Sequence, residues 1–144
     1  MGQTFFKIWI HIVWGTKDHI AVLNDDLRLK IFNHIKQKAL DEKIYLDTIN
    51  GTANHIHCLI SINPKFSISD IVNKLKGESS HWINSNQLTA SHFAWQNGFS
   101  AFSVSESQVN KVRNYILNQH IRHKKLMYSE EVKKLLKLHN VQTE

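Results

Sequence analysis

The sequence predicts an α+β domain, a single antiparallel sheet carrying packed helices. Three observations predict it. Period-two alternation of apolar residues recurs in short segments, helical-period stripes opened by capping residues lie between them, and turn-forming pairs separate the two kinds. The first element spans residues 6–14. Phe6, Ile8, Ile10, Ile12 and Trp14 fall on one side, with Lys7, Trp9, His11 and Val13 on the other. With its β-branched content this reads as a strand with one face deeply buried. Asn24 and Asp25 can then cap a helix bearing Leu27, Ile31, Ile35 and Ala39 on one stripe.

A second strand covers 44–49. Asn50-Gly51 suits a tight hairpin because both residues tolerate positive φ, and the return strand covers 52–62, ended by Asn63-Pro64. Ser67 offers an N-cap to a helix with Ile68, Ile71, Val72, Leu75 and Trp82 at helical spacing. Gly77 inside that helix costs about 1 kcal/mol relative to alanine; it marks either a close backbone approach or a tolerated defect. Residues 93–95, Asn97-Gly98 and 99–104 read as another hairpin. Ser105 followed by Gln108 forms a capping box for a helix through about Arg122. A last amphipathic helix starts at Ser129 and carries Val132, Leu135, Leu136 and Leu138. The order β-α-β-β-α-β-β-α-α is close to a split βαβ, ferredoxin-like plan.

At 144 residues, with 42% hydrophobic content, no linker and no repeat, one domain over 1–144 is expected. No run of about 18 apolar residues predicts a membrane span. The start MGQTFFKIWIHIVWGTK lacks a basic leader and a small-residue cleavage site, so a cytoplasmic protein is expected. The lone Cys58 excludes an internal disulfide and a cysteine-built zinc site. Eighteen Lys and Arg against twelve Asp and Glu give a formal charge of +6, which attracts polyanions. Ten histidines are the more unusual count.

Two of them, His55 and His57, sit two apart on the predicted third strand and so project from one face. Ile56, Cys58, Ile60 and Ile62 take the other. A stiff strand holds two nitrogen donors at fixed separation, although an isolated His-x-His is most often chance. Tyr115 and Gln119 lie four apart on one helical face, bordering the stripe of Val109, Val112 and Ile116. Together the elements make more chemical sense than apart. A phenol with a pKa near 10 is a weak nucleophile at neutral pH. Two imidazoles and an amide oxygen could hold a divalent ion that polarises a scissile phosphate. Tyrosine attack conserves the energy of the broken bond in a phosphotyrosine, which suits strand transfer rather than hydrolysis.

At these residues the chain resembles the single-tyrosine HUH transposases of the insertion-sequence-200/605 type. The resemblance rests on HIVWGTK at 11–17, NHIHCLI at 54–60, LKGESS at 75–80, WQNGFSAFSVS at 95–105, YILNQ at 115–119 and the downstream Glu130-Glu131, all in the family's order. It implies a ferredoxin-like or RRM-like catalytic fold and a metal-dependent nick in single-stranded DNA bearing hairpin ends. By likeness, His55 and His57 are the metal pair and Gln119 the third protein ligand. Tyr115 is the nucleophile that becomes joined to the 5′-phosphate. The resemblance also implies a homodimer able to share active sites between subunits. Relatives often carry paired histidines after the glutamine, whereas this chain reads His120-Ile121-Arg122-His123.

The family's habit implies Mg2+ or Mn2+. Magnesium prefers oxygen ligands, so two imidazoles favour manganese or another transition metal. Lys65, Lys74, Lys76, Lys111, Arg113 and Arg122 are the candidate phosphate contacts, a salt-sensitive and largely sequence-independent role. Trp9, Trp14, Trp82 and Trp95 could stack on bases, though core packing suits Trp14 and Trp82 better. Two other readings stand beside the transposase: an RRM-like module that grips single-stranded nucleic acid without cutting it, and a metal-dependent hydrolase that uses water.

Overall fold

The computed structural model describes residues 2–119 and 128–138. Strand β1 (Trp9–Gly15) leads to helix α1 (Asp25–Asp41), then β2 (Tyr45–Gly51), β3 (His55–Ser61), α2 (Ile68–Ser85) and β4 (Ser100–Val104). Helices α3 (Val109–Leu117) and α4 (Tyr128–Leu138) follow. The sheet is antiparallel throughout, in the spatial order β2-β3-β1-β4. The expected α+β, ferredoxin-like plan is the observed one, extended by two C-terminal helices.

Local chemistry accounts for the helix starts. The Asn24 side chain accepts from Leu27 N–H at 2.9 Å and Ser67 Oγ accepts from Asp70 N–H at 3.0 Å, each satisfying an otherwise orphaned first-turn donor. Ile31 and Ile35 of α1 and Ile71, Val72 and Leu75 of α2 then pack on Ile10, Ile12 and Trp14 of β1 and Ile56, Cys58 and Ile60 of β3. Burial of this apolar face is the main driving force for folding.

Strand β1 departs from the expectation of a single buried face, because every residue from Trp9 to Gly15 is buried. Trp9 and Leu59 pack against Val109 and Ile116 of α3, and Val13 and Phe102 against Leu135 of α4. The second face is covered because the last two helices lie on it. Phe6 and Ile8, expected in the same strand, precede the paired segment and stay largely exposed.

Three local expectations are corrected. Asn50 and Gly51 do not form the turn; they pair with His57 and Ile56, and the chain reverses at 52–54, closed by Thr52 N–H donating to His55 O at 2.9 Å. Segment 93–95 is not the partner of β4. Trp95 bridges to Thr16 while Ser100 pairs with Val13, so both pieces lie along β1 with the excess residues looped out around Asn97-Gly98, where Gly98 has φ +82°. Ser105 makes no side-chain cap; a 3-10 turn at Glu106–Gln108 intervenes before α3.

The two informative glycines differ in cause. A Cβ on Gly51 would lie 2.2 Å from the backbone oxygen of His55, so only glycine admits that approach. Nothing lies within 4 Å of a Cβ on Gly77, which makes it the tolerated defect. Gly51→Ala is expected to cost about 3 kcal/mol through forced backbone movement, whereas Gly77→Ala should gain about 1 kcal/mol from helix propensity. Urea unfolding of both variants checks the opposite signs.

Candidate active site

Strand parity builds the site. On β3, His55, His57 and Leu59 alternate with the core residues Ile56, Cys58 and Ile60, so both imidazoles rise from the face that α3 and α4 cover. Both are fully buried. Helix α3 places Tyr115 over this face, its ring centroid 5.8 Å from that of His57 and 6.0 Å from that of His11. Helix α4 brings a residue to which sequence pattern alone assigns no role. Glu131 sits between the imidazoles, with one oxygen 3.1 Å from His55 Nε2 and the other 3.1 Å from His57 Nε2. The Tyr115 hydroxyl donates to the same carboxylate. Glu131 was legible in principle: it lies four residues before buried Leu135, a carboxylate on an apolar stripe that needs a partner.

The second nitrogens of the imidazoles are also engaged. His55 Nδ1 lies 2.8 Å from Asn54 Oδ1 and 2.9 Å from Thr52 Oγ1. His57 Nδ1 lies 2.8 Å from His11 Nε2. Burial, the dominant influence, holds the His57 imidazolium form below its usual range despite the opposing pull of Glu131. Burial alone would raise the Glu131 carboxyl, yet the adjoining His55 and His57 imidazoles and the Tyr115 hydroxyl together hold it below the carboxylate range. An ionised carboxylate facing a neutral imidazole is the protonation state in which both are ligands.

Ligand atoms of His55, His57 and Glu131 all lie within 4.8 Å of one another. Although close to Glu131, His57 Nε2 has no aligned hydrogen-bond partner, and neither has the buried Gln119 Oε1, among the described residues. Buried polar atoms are rarely left so. Two imidazoles and a carboxylate form a donor set suited to a divalent transition ion with open positions for oxygen ligands. These residues therefore fit a metal. Gln119, the expected third ligand, donates from Nε2 to the Tyr115 carbonyl at 3.4 Å; the carboxylate between the imidazoles belongs to Glu131.

The tyrosine helix is fastened to the sheet edge. A β-bulge between Leu46 and Thr48 makes Asp47 the extra residue of β2. Its carboxylate accepts from Arg113 Nε at 2.8 Å and a second guanidinium nitrogen at 3.0 Å. Asn50 Nδ2 donates to Ile116 O and Leu117 O at 3.0 and 3.1 Å, capping the end of α3. The Arg113 hydrogen bond, outweighing desolvation, holds the Asp47 carboxyl below its usual value. A depressed carboxyl contributes stability above the unfolded-state pKa and loses it as pH falls through the folded value. Amide exchange over 109–117 should therefore accelerate as pH falls below about 4, beyond the intrinsic pH trend, and Asp47→Asn should remove that extra acceleration.

Other expected phosphate contacts have intramolecular duties. Lys76 Nζ donates to Gln96 O at 2.7 Å and Gly98 O at 2.8 Å, tying the looped-out segment to α2. Lys74 lies 3.3 Å from Glu42. Such engagement competes with a phosphate, as the Asp47 pairing does for Arg113. Lys65 and Lys111 are exposed, and Arg122, with His120 and His123, lies outside the described residues. No helix among the described residues is long and apolar enough to cross a membrane. Trp14 and Trp95 pack in the core and Trp9 against α3.

The family model for IS200-like transposases matches residues 4–119, most of the chain. The chain belongs to the IS200-like transposase family. This IS200-like transposase is 24% identical over 120 residues to the ISDra2 transposase TnpA of Deinococcus radiodurans, covering 80% of this chain and 86% of the relative. Its fold is similar to the crystal structure of a Deinococcus radiodurans R1 protein described as a transposase, with a TM-score of 0.65, 24% identity and coverage of 83% of this chain and 96% of that one. It is also similar to a REP-associated tyrosine transposase bound to a REP hairpin, with a TM-score of 0.64, 13% identity and coverage of 85% and 73%. Transposition and DNA binding, with DNA cleavage as the enzymatic class, follow from membership of this family.

Proposed function

We propose that the transposase cuts and rejoins single-stranded DNA through a covalent 5′-phosphotyrosine on Tyr115, at element ends that form hairpins. The observation that carries this reading is the meeting of the Tyr115 hydroxyl, the Glu131 carboxylate and the His55 and His57 Nε2 atoms in one cluster. Tyr115 Oη attacks the scissile phosphorus, the bond from phosphorus to O3′ breaks, and O3′ leaves as a free hydroxyl. The phenol's proton, released along its hydrogen bond to Glu131, ends on the departing O3′, so one P–O bond is exchanged for another; reversing the path reseals the strand. His55, His57 and Glu131, with Gln119 as the further ligand that the family resemblance implies, would hold Mn2+ or Mg2+. When bound, the ion supplies Lewis-acid polarisation of the phosphate and neutralises developing charge.

The exposed Lys65 and Lys111 are proposed to meet the DNA backbone, with Lys74, Lys76, Arg113 and Arg122 as further contacts that must exchange present partners or lie beyond the described chain. A homodimer is part of the proposal and is checked by light scattering. The deciding experiment incubates the protein with hairpin-bearing single-stranded DNA and Mn2+, followed by denaturing electrophoresis. A protein–DNA adduct with a free 3′-OH on the released fragment is expected. Tight binding without an adduct would favour the binding module, and cleavage without trapped protein would favour a hydrolase.

A further inference from the structure

His11 is a buried polar residue at the centre of the sheet that neither the nucleophile nor the metal set uses. It lies on β1 at the parity of Trp9 and Val13, so it shares the site face with His57, whose direct β1 partner is Val13. Its Nε2 is 2.8 Å from His57 Nδ1. The two ring centroids are 5.0 Å apart with an interplanar angle of 29°. That separation is the nitrogen–nitrogen distance plus about one ring radius on each side, so the rings meet edge to edge as hydrogen-bonding partners. Face-to-face stacking would bring the centroids closer.

The tautomers follow by elimination. A neutral imidazole has one N–H and one lone pair. For His57 to offer its Nε2 lone pair to a cation, its proton must reside on Nδ1, and that N–H must find an acceptor in a fully buried place. Among the described residues the acceptor at hydrogen-bond distance is His11 Nε2, which must then carry no proton. The neighbouring imidazole is arranged likewise: His55 Nδ1 faces Asn54 Oδ1 and Thr52 Oγ1, leaving Nε2 toward Glu131. Carbonyls or carboxylates usually supply such an acceptor to metal-bound histidines; here a second histidine does so for His57.

We propose that His11 is a positioning residue: its Nε2 accepts the His57 Nδ1 proton and thereby aims the His57 Nε2 lone pair at the metal. The proposal rests on the reading of His57 as a ligand. His11 also has Tyr115 and Phe102 rings about it, at 6.0 and 6.1 Å between centroids, so its loss would disturb packing as well as hydrogen bonding. The variants must therefore separate the two. His11→Gln keeps an acceptor oxygen at about the reach of Nε2, whereas His11→Leu fills the space without one.

The test measures Mn2+ binding to the full chain by titration calorimetry and the His57 tautomer by 15N NMR of the metal-free protein. Wild type should show the Nδ1–H tautomer at His57. His11→Leu should weaken Mn2+ binding by about 10–100-fold, and His11→Gln should recover most of that loss. An Nε2–H tautomer at His57, or equal Mn2+ affinity in wild type and His11→Leu, would overturn the proposal while leaving the metal site standing. Equal weakening in His11→Gln and His11→Leu would assign His11 to packing and also overturn it. Absence of Mn2+ uptake by the wild type would remove the metal reading and this proposal together.

Discussion

Tyr115→Phe is expected to abolish the covalent protein–DNA adduct and to slow strand cleavage by roughly a thousandfold or more, because phenylalanine has no hydroxyl to attack the phosphorus. The substitution removes one oxygen and keeps the ring that packs with Trp9, Val109 and Ile116. The fold and Mn2+ affinity should therefore change little. Losing the phenol's hydrogen bond to the ionised Glu131 costs about 1.5–3 kcal/mol at most, and the carboxylate keeps its two imidazole neighbours. Electrophoresis of end-labelled hairpin DNA under denaturing conditions reads the adduct directly. Cleavage at an undiminished rate in this variant would sink the tyrosine mechanism and point to water as the nucleophile.

Binding of Mn2+ should stabilise the protein strongly, the second large effect. A ligand bound only by the folded chain adds about 2.7 kcal/mol at a free concentration near one hundred times its dissociation constant. Thermal unfolding should therefore shift upward by several degrees with Mn2+ and return on adding chelator. His57→Ala should eliminate the shift, since it removes a donor from a set of three whose other members, His55 on β3 and Glu131 on α4, are both buried and held in place. Glu131→Gln should weaken it by keeping the volume and discarding the charge. If Mn2+ left the melting temperature of wild type and His57→Ala equally unmoved, the cluster would be a buried polar network rather than a metal site.

Much of this architecture was legible because it depends on period and on caps. Asn24 and Ser67 announce α1 and α2, and the alternation of 55–62 by itself puts both histidines on one face. What failed depended on distant contacts. Asn50-Gly51 has the composition of a turn, yet Gly51 serves a close approach to the His55 carbonyl, and Asn50 caps a helix 66 residues later. The second burial of β1 was hidden because the covering helices come last in the chain. Glu131 escaped for a similar reason: its partner His55 lies 76 residues earlier. A carboxylate on an apolar stripe reveals that it needs a partner, not which one. Charge alone marks Arg113 as a candidate phosphate contact and does not disclose its pairing with Asp47 at a bulge.

The alternation along β3 has a consequence for how this enzyme can change. Neighbouring positions answer to different demands: one set fills the interior, the other carries the proposed metal donors, and they interleave residue by residue. An inserted or deleted amino acid between 55 and 60 would invert the two, sending isoleucines toward the phosphate and imidazoles into oil. Point substitution can explore this strand, but length variation cannot; new DNA specificities are expected to be acquired in the loops, while the strand's length stays constant.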